Sequence, residues 1–592
     1  GSVKITGYDE LKLEDLKFPY SFIRNNSAEQ QRDLKEEAKE EEEVFIKPQL
    51  RLKKLGNEAE KFSFVFKFRP LNFSGESYIF KEEKHLIPGM NSLDFSFTLN
   101  DIERWWISEL GSPNLYQAQL EIYKDENRIL KSETEIAFRE VEIDKKFGLY
   151  INGKRFYARG TNYLSAQFLS LSDQKLYDQD IKYMLNANIN MVRLFSHLEN
   201  DYFYQCCNRE GILIWQDLPF QWGYAEDIST LQRSKKAAQK AVSKLYDHPS
   251  IFNWCLHSES RYHDYIKLDR VLENTVKKID SSRPIWKNSV FMTENQPPDF
   301  FESLAEFEAY NREHSSVNWI GWYLGKIEDA EKYNPLFITE FGSQSLPNKE
   351  TLTTMFSKEE IWPPDWERWK EKGFQKDIFK ENIGLDYELY QNLEELIDYS
   401  QLYQVYFYKK HIEAMRRKKY QKNNGIIQFH FVSTWASIDW SIIDHKRQPK
   451  KAYYAVKESF QSLLPSFRVV KKDREYILEA WIINDYHRSY NNLELKYKLK
   501  FKRNSKEKEF EIKEKEFTEV VAVESDSSKL YFSRDIKKDF FTLEVQSSLY
   551  KGQKVIAQNR NLLFNNELEL AFSEKYSEIE KVWGGESAKN NL

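Results

Sequence analysis

F-N-W-C-L-H-S-E, Phe252 to Glu259, is a short apolar, β-prone run that stops at a carboxylate, and the helical stretch Leu231 to Leu245 precedes it. The same helix-then-strand unit recurs in both directions. Upstream lie R-F-Y-A-R-G-T-N-Y (from Arg155), M-V-R-L-F-S (from Met191) and I-L-I-W-Q-D (from Ile212), with a polar helical stretch from Ser172 to Ala187. Downstream lie I-W-K-N-S-V (from Ile285), V-N-W-I-G-W-Y (from Val317), L-F-I-T-E-F-G (from Leu336) and G-I-I-Q-F-H-F (from Gly425). Eight apolar runs alternating with helical stretches predict a closed parallel (β/α)8 TIM barrel.

Such barrels place their chemistry at the C-terminal ends of the strands. Glu259 ends the fourth run and Glu340, in P-L-F-I-T-E-F-G (Pro335 to Gly342), the seventh. A carboxylate there is held by a rigid scaffold yet faces a cleft. Two of them can divide the breaking of a glycosidic bond, one donating a proton and the other attacking the sugar carbon. The expected partner is an oligosaccharide or glycoside. A long insertion, Ser345 to Asn424, follows the seventh run with W-P-P-D-W and a helical Asp398 to Lys418; extra structure on that face walls a cleft.

The flanks read as all-β. F-I-K-P-Q-L-R-L, K-F-S-F-V-F-K-F and S-L-D-F-S-F-T-L alternate apolar with polar residues, the pattern of half-buried strands. The expected division is an irregular segment over 1–43, an immunoglobulin-like β-sandwich over 44–142, the barrel over 143–464, a second sandwich over 465–575 and a loose polar tail over 576–592.

With 88 basic and 93 acidic residues, nothing points to nucleic acid or an anionic membrane, and no apolar stretch approaches the ~20 residues of a membrane span. Three cysteines cannot form a disulfide framework. No zinc spacing, phosphate-cradling glycine loop or dinucleotide fingerprint occurs, so neither a metal nor a cofactor is implied. Gly1-Ser2 reads as a cloning scar, so the lack of a leader carries no information; a periplasmic or secreted location is expected ahead of a cytoplasmic one. Fifteen Trp, 35 Tyr and 41 Phe suit a site that stacks sugars, although any single Trp is more often core.

Several segments together resemble glycoside hydrolase family 2, in its β-mannosidase-like branch. They are Glu103 to Tyr116 (E-R-W-W-I-S-E-L-G-S-P-N-L-Y), Phe147 to Tyr163 (F-G-L-Y-I-N-G-K-R-F-Y-A-R-G-T-N-Y), R-E-G-I-L-I-W-Q-D, D-H-P-S-I-F-N-W-C, T-E-F-G-S-Q-S-L-P and W-S-I-I-D-H-K-R-Q-P-K-K-A-Y-Y-A-V-K. The resemblance implies a retaining, exo-acting hydrolase in which Glu259 is the acid/base, Glu340 the nucleophile and Arg193 the cation that keeps Glu340 ionised. Glu259 must then hold a proton, through a pKa raised by the charge on Glu340. The remaining substrate-binding candidates are His257, Ser258, Trp222, Trp319, Trp322 and Trp435, with Trp435 and Trp319 the preferred stacking platforms.

The pattern departs from the family in places. Ser258 stands where an asparagine amide normally contacts the sugar 2-hydroxyl. Arg193-Leu194-Phe195 replaces Arg-x-Trp, Ser315-Ser316-Val317 replaces Asp-x-His, and Ser433 replaces an eighth-strand Asp. The family's N-terminal jelly-roll domain is not found, so either it was removed or another chain completes the cleft. Ser258 keeps an exo-β-glucosaminidase open as a second reading. The lost polar residues keep open a non-catalytic carbohydrate-binding protein on a decayed hydrolase scaffold.

Overall fold

The structure, a computed structural model, describes residues 10–23, 42–221, 225, 227–259, 266–291, 315–323, 325–383, 390, 392–472, 475–502, 512–536, 542–564 and 580–583. Eight parallel strands close into a barrel in chain order: β1 (Ala158–Asn162), β2 (Met191–Leu194), β3 (Leu213–Asp217), β4 (Ile251–Ser258), β5 (Ile285–Phe291), β6 (Ser315–Asn318), β7 (Ile338–Phe341) and β8 (Gly425–Gln428). β8 pairs with β1, Ala158 opposite Gly425 and Gly160 opposite Ile427, which seals the ring. β2, β3 and β4 are buried along their whole length, which is why they read as unbroken apolar runs rather than alternating ones.

Helices α1 (Gln174–Asn186), α2 (Asp201–Glu210), α3 (Ile228–Leu245) and α4 (Ile266–Ile279) follow β1 to β4. The sequence supplies caps for the first three. Asp173, Asn200 and Asp227 accept first-turn backbone N–H bonds that would otherwise go unmet. Gly211 ends α2 in the left-handed region at φ +65°. No helix among the described residues is long and apolar enough to cross a membrane.

The two ends of the barrel differ in chemistry. Its N-terminal end is plugged by Phe147, Leu149, Ile151 and Phe156, which pack on the barrel residues Met191, Trp215, Phe252, Cys255 and Phe337. Phe147 and Trp215 stack on Phe337 with centroids 5.4 and 5.3 Å apart. The polar residues Asn162, Arg193, Asp217 and Glu340 lie toward the C-terminal ends of their strands, where they form one hydrogen-bonded cluster.

In the first sandwich, a four-stranded sheet faces two three-stranded ones. Phe62, Phe64, Phe66 and Phe68 alternate along the strand Glu60–Pro70 and are all buried, the period of two that the sequence showed. Burying each contributes roughly 1.5–3 kcal/mol. The segment 1–43 is not simply irregular. Leu11–Lys17 pairs with Gln49–Lys54, and Tyr20–Phe22 with Val44–Ile46, so both strands belong to this sandwich. Leu11 and Phe18 supply the apolar anchors that hold the segment down.

The second sandwich spans Leu463–Lys472 to Lys554–Phe564. The tail expected to be loose is docked where it is described: Val582 and Trp583 are buried against the main core, and Arg560 Nη1 donates to the Val582 carbonyl at 3.0 Å. The insertion after β7 carries short helices and the 25-residue helix Leu393–Arg417, whose start lies five residues before the expected Asp398. Asp485 ties the parts together. It accepts from Arg159 of β1 (2.5 Å), Arg416 of the long helix (2.6 Å) and Lys419 (2.9 Å). Arg159 also binds Glu109.

Candidate active site

Arg193 organises the C-terminal mouth of the barrel. It is fully buried, and its guanidinium donates from Nη1 to Glu340 Oε1 (2.5 Å) and Asn162 Oδ1 (3.2 Å). Nη2 donates to Asp217 Oδ2 (2.6 Å) and Ser258 Oγ (2.9 Å), and Nε reaches Asp217 Oδ1 at 3.4 Å. Five strands therefore meet at one cation: β1 through Asn162, β2 itself, β3 through Asp217, β4 through Ser258 and β7 through Glu340. Burial alone would lower the arginine pKa; Asp217 and then Glu340 overcome it and hold the side chain charged.

Glu259 follows Ser258 directly and is almost fully buried, with its backbone in the left-handed region at φ +46°. That conformation costs on the order of 1 kcal/mol for a residue with a Cβ, and such residues concentrate where a side chain must be aimed. Its charge acts on Glu340, whose carboxyl is pushed up to about 8 by burial first and by Glu259 second, against the pull of Arg193. The family resemblance implies that Arg193 keeps Glu340 ionised, but its pull is outweighed. Asp217 changes that balance, because it shares the guanidinium and itself raises Glu340.

Aromatic rings wall the same mouth. Phe429, just past β8, lies 5.3 Å from Phe195, 5.8 Å from Trp319 and 6.0 Å from Trp440 between centroids. Its N–H donates to the Phe341 carbonyl beside Glu340 at 2.7 Å. Gly342 makes this approach possible, since a Cβ there would collide with the Phe429 carbonyl.

The remaining candidates separate. Trp319 joins this wall, with 6% of its surface exposed. Trp435 is exposed on the loop after β8, beside Lys372. Trp322 is a core residue instead: it is 1% exposed, packs on Phe379 and Tyr403 of the insertion, and donates Nε1–H to Gln375 Oε1 at 3.1 Å. His257 Nδ1 lies 3.2 Å from Asp269 Oδ1, in the first turn of α4. Trp222 and the side chains of Ser315, Ser316 and Val317 lie outside the described residues. Ser433, where an acid was expected, donates to Asp439 Oδ1 at 3.0 Å, so a carboxylate does reach this region from six residues downstream. Burial would raise Asp439, but His430 overrides it and holds the group well below the usual carboxylate range.

Asn162, Asp217, Phe195 and Phe429 went unassigned in the sequence. Asn162 and Asp217 carried the signal that picked out Arg193 and Glu340, a polar residue at the end of an apolar run. Among the described residues no group of three or more His, Cys, Asp or Glu could hold a metal ion. A separate cleft of about 860 Å³ lies between the first sandwich and the C-terminal turns of α3, lined by Glu14, Lys17, Arg51, Asp94 and Lys240; it is not part of this site.

Comparison with known proteins bears on the family and the fold. The family model "Glycosyl hydrolases family 2, TIM barrel domain" matches residues 141–406, and "Glycosyl hydrolases family 2" matches 28–139. The chain is 24% identical over 404 residues to β-mannosidase B of Aspergillus clavatus, covering 62% of this chain and 47% of that protein. It is 21% identical over 436 residues to β-mannosidase of Rattus norvegicus, covering 66% and 49%. It spans about half the length of these relatives. The β-D-mannosidase structure from Dictyoglomus thermophilum superposes with a TM-score of 0.78 at 22% identity, over 96% of this chain and 67% of that one. The exo-chitosanase structure from Amycolatopsis orientalis gives 0.68 at 16%, over 94% and 64%. With a sandwich–barrel–sandwich order, a buried arginine joining five barrel strands and both family models in sequence, the chain belongs to glycosyl hydrolase family 2.

Proposed function

We propose that this chain hydrolyses β-linked glycosides with retention of configuration, with a β-mannoside as the first substrate. Glu340 attacks the anomeric carbon and Glu259 protonates the leaving oxygen. The observation that carries the reading is the Arg193 bracket, which binds Glu340 on one side and Ser258, the residue before Glu259, on the other.

Burial first, and the charge of Glu259 second, push the Glu340 carboxyl up to about 8. The reactive arrangement has Glu340 charged and Glu259 protonated, and positive charge developing on the sugar ring favours it. A Glu340 oxygen then bonds to the anomeric carbon as the glycosidic C–O bond breaks, and the Glu259 proton passes to the leaving oxygen. The ester carries no charge, so Glu259 loses its repulsive neighbour and can take a proton from water. That water attacks the anomeric carbon and releases Glu340.

The β-mannosidase names of the relatives support the mannoside. Ser258 favours a β-glucosaminide as second reading, because its hydroxyl accepts from Arg193 and it has no amide to offer a 2-hydroxyl. A panel of aryl β-mannoside, β-glucoside, β-galactoside, β-glucuronide and β-glucosaminide tests both. Turnover of the mannoside that falls to background in Glu340→Ala is the expected result. Binding without turnover across the panel would support the decayed scaffold instead.

A further inference from the structure

The insertion after β7 places a turn, Lys372 to Gln375, between two exposed rings at the mouth of the barrel. On one side Lys372 Nζ stands 5.6 Å from the centroid of Trp435, which is 36% exposed. On the other, Gln375 Nε2 donates to the hydroxyl of Tyr323 at 2.9 Å, and Tyr323 is 38% exposed. The backbone fixes this arrangement. Ile438 N donates to the Lys372 carbonyl at 2.7 Å, and Gly373, at φ +92°, leaves only 2.9 Å between a would-be Cβ and the Ile438 carbonyl. The rim is continuous with the site, since Tyr323 meets Trp319 at 5.5 Å and Trp319 meets Phe429.

Lys372 pairs with no carboxylate among the described residues. The acids around it are engaged elsewhere: Glu371 accepts from Arg368 (2.9 Å), and Asp439 from Ser433 (3.0 Å) and Ser437 (2.9 Å), with His430 3.6 Å away. A cation with no paired carboxylate among the described residues therefore stands beside an exposed indole at the entrance. An indole face accepts the C–H face of a sugar, and an ammonium next to it attracts an anion on that sugar.

We propose that Lys372 and Trp435, with Tyr323 and Gln375 opposite, form a rim subsite for the part of the substrate that projects from the barrel, and that this subsite selects an anionic, carboxylate-bearing sugar. The proposal rests on the hydrolase reading above.

The test compares β-1,4-mannobiose with β-mannosyl-(1→4)-glucuronic acid. In wild type the acidic disaccharide should show a kcat/KM at least fivefold higher at low salt, and added salt should shrink the difference. Lys372→Gln should abolish the preference, and Trp435→Ala should raise KM for both disaccharides. Equal values in wild type, or a preference that survives Lys372→Gln, would overturn the proposal. Calorimetric titration of Glu340→Gln with the same two disaccharides separates the two readings. Tighter binding of the acidic sugar that depends on Lys372 upholds the subsite, even where wild type turns over no mannoside and the hydrolase reading fails.

Discussion

Asp217 and Glu340 draw on the same buried guanidinium, Arg193 donating to one from Nη2 at 2.6 Å and to the other from Nη1 at 2.5 Å. Sharing weakens the hold of the arginine on each carboxylate, and the charge of Asp217 adds to the upward push on Glu340. Asp217→Asn removes that charge while keeping the shape. The pH profile of kcat/KM should then move toward acid by about one unit. An unmoved or alkaline-shifted profile would show that Asp217 does not set the protonation of the pair.

Glu340 also sets a pH dependence of stability. Its carboxyl titrates near 4.5 when unfolded and at about 8 when folded. Between those values the folded protein binds a proton that the unfolded chain releases, so stability falls as pH rises, and the penalty is complete above pH 8. Glu340→Gln removes the titrating group. It should melt higher than wild type at pH 9 by about 2–5 °C, with the gap closing toward pH 5. Thermal scans across that range check the sign as well as the size.

Two tryptophans that looked alike in the sequence should behave differently. Trp322→Ala empties a packed site between the barrel and the insertion, and its expected cost is about 3–5 kcal/mol in denaturant unfolding. Trp435→Ala removes an exposed ring and should stay within about 0.5 kcal/mol of wild type.

Asp485, in the second sandwich, serves three cations of the barrel domain. Burial would raise its carboxyl, but Arg416, Lys419 and Arg159 together hold it well below the usual range. Its contribution to stability is therefore complete above the unfolded value near 3.8 and is lost as pH falls below it. Asp485→Ala leaves buried cations without their common partner, at a cost on the order of 3–5 kcal/mol. Asp485→Asn should flatten the acid limb of the melting profile, as followed by circular dichroism below about pH 4.

The barrel was legible because its strands are buried on both faces and separated by polar, capped helices, so each announced itself as an apolar run. Glu259, Glu340 and Arg193 were legible for a related reason, as polar residues interrupting such runs near their ends. Asp217 ends I-L-I-W-Q-D in the same way, but an acid at a strand end does not by itself reveal that it shares Arg193 with Glu340. Trp322 could not be placed, since its partners Phe379 and Tyr403 lie more than fifty residues downstream. The strands Leu11–Lys17 and Tyr20–Phe22 were missed because they are short and pair across an acidic stretch with segments more than twenty residues away. The rise of Glu340 depends on burial and on the charges of Glu259 and Asp217, set against that of Arg193, which no local pattern records.

The central claim is that Glu340 becomes covalently attached to the sugar. Incubation with 2-deoxy-2-fluoro-β-mannosyl fluoride, followed by mass spectrometry of proteolytic peptides, tests it directly. The expected result is a single fluoroglycosyl adduct on the Glu340 carboxylate, absent from Glu340→Gln. An adduct on another carboxylate, or hydrolysis of the reagent with no adduct at any point, would contradict the account.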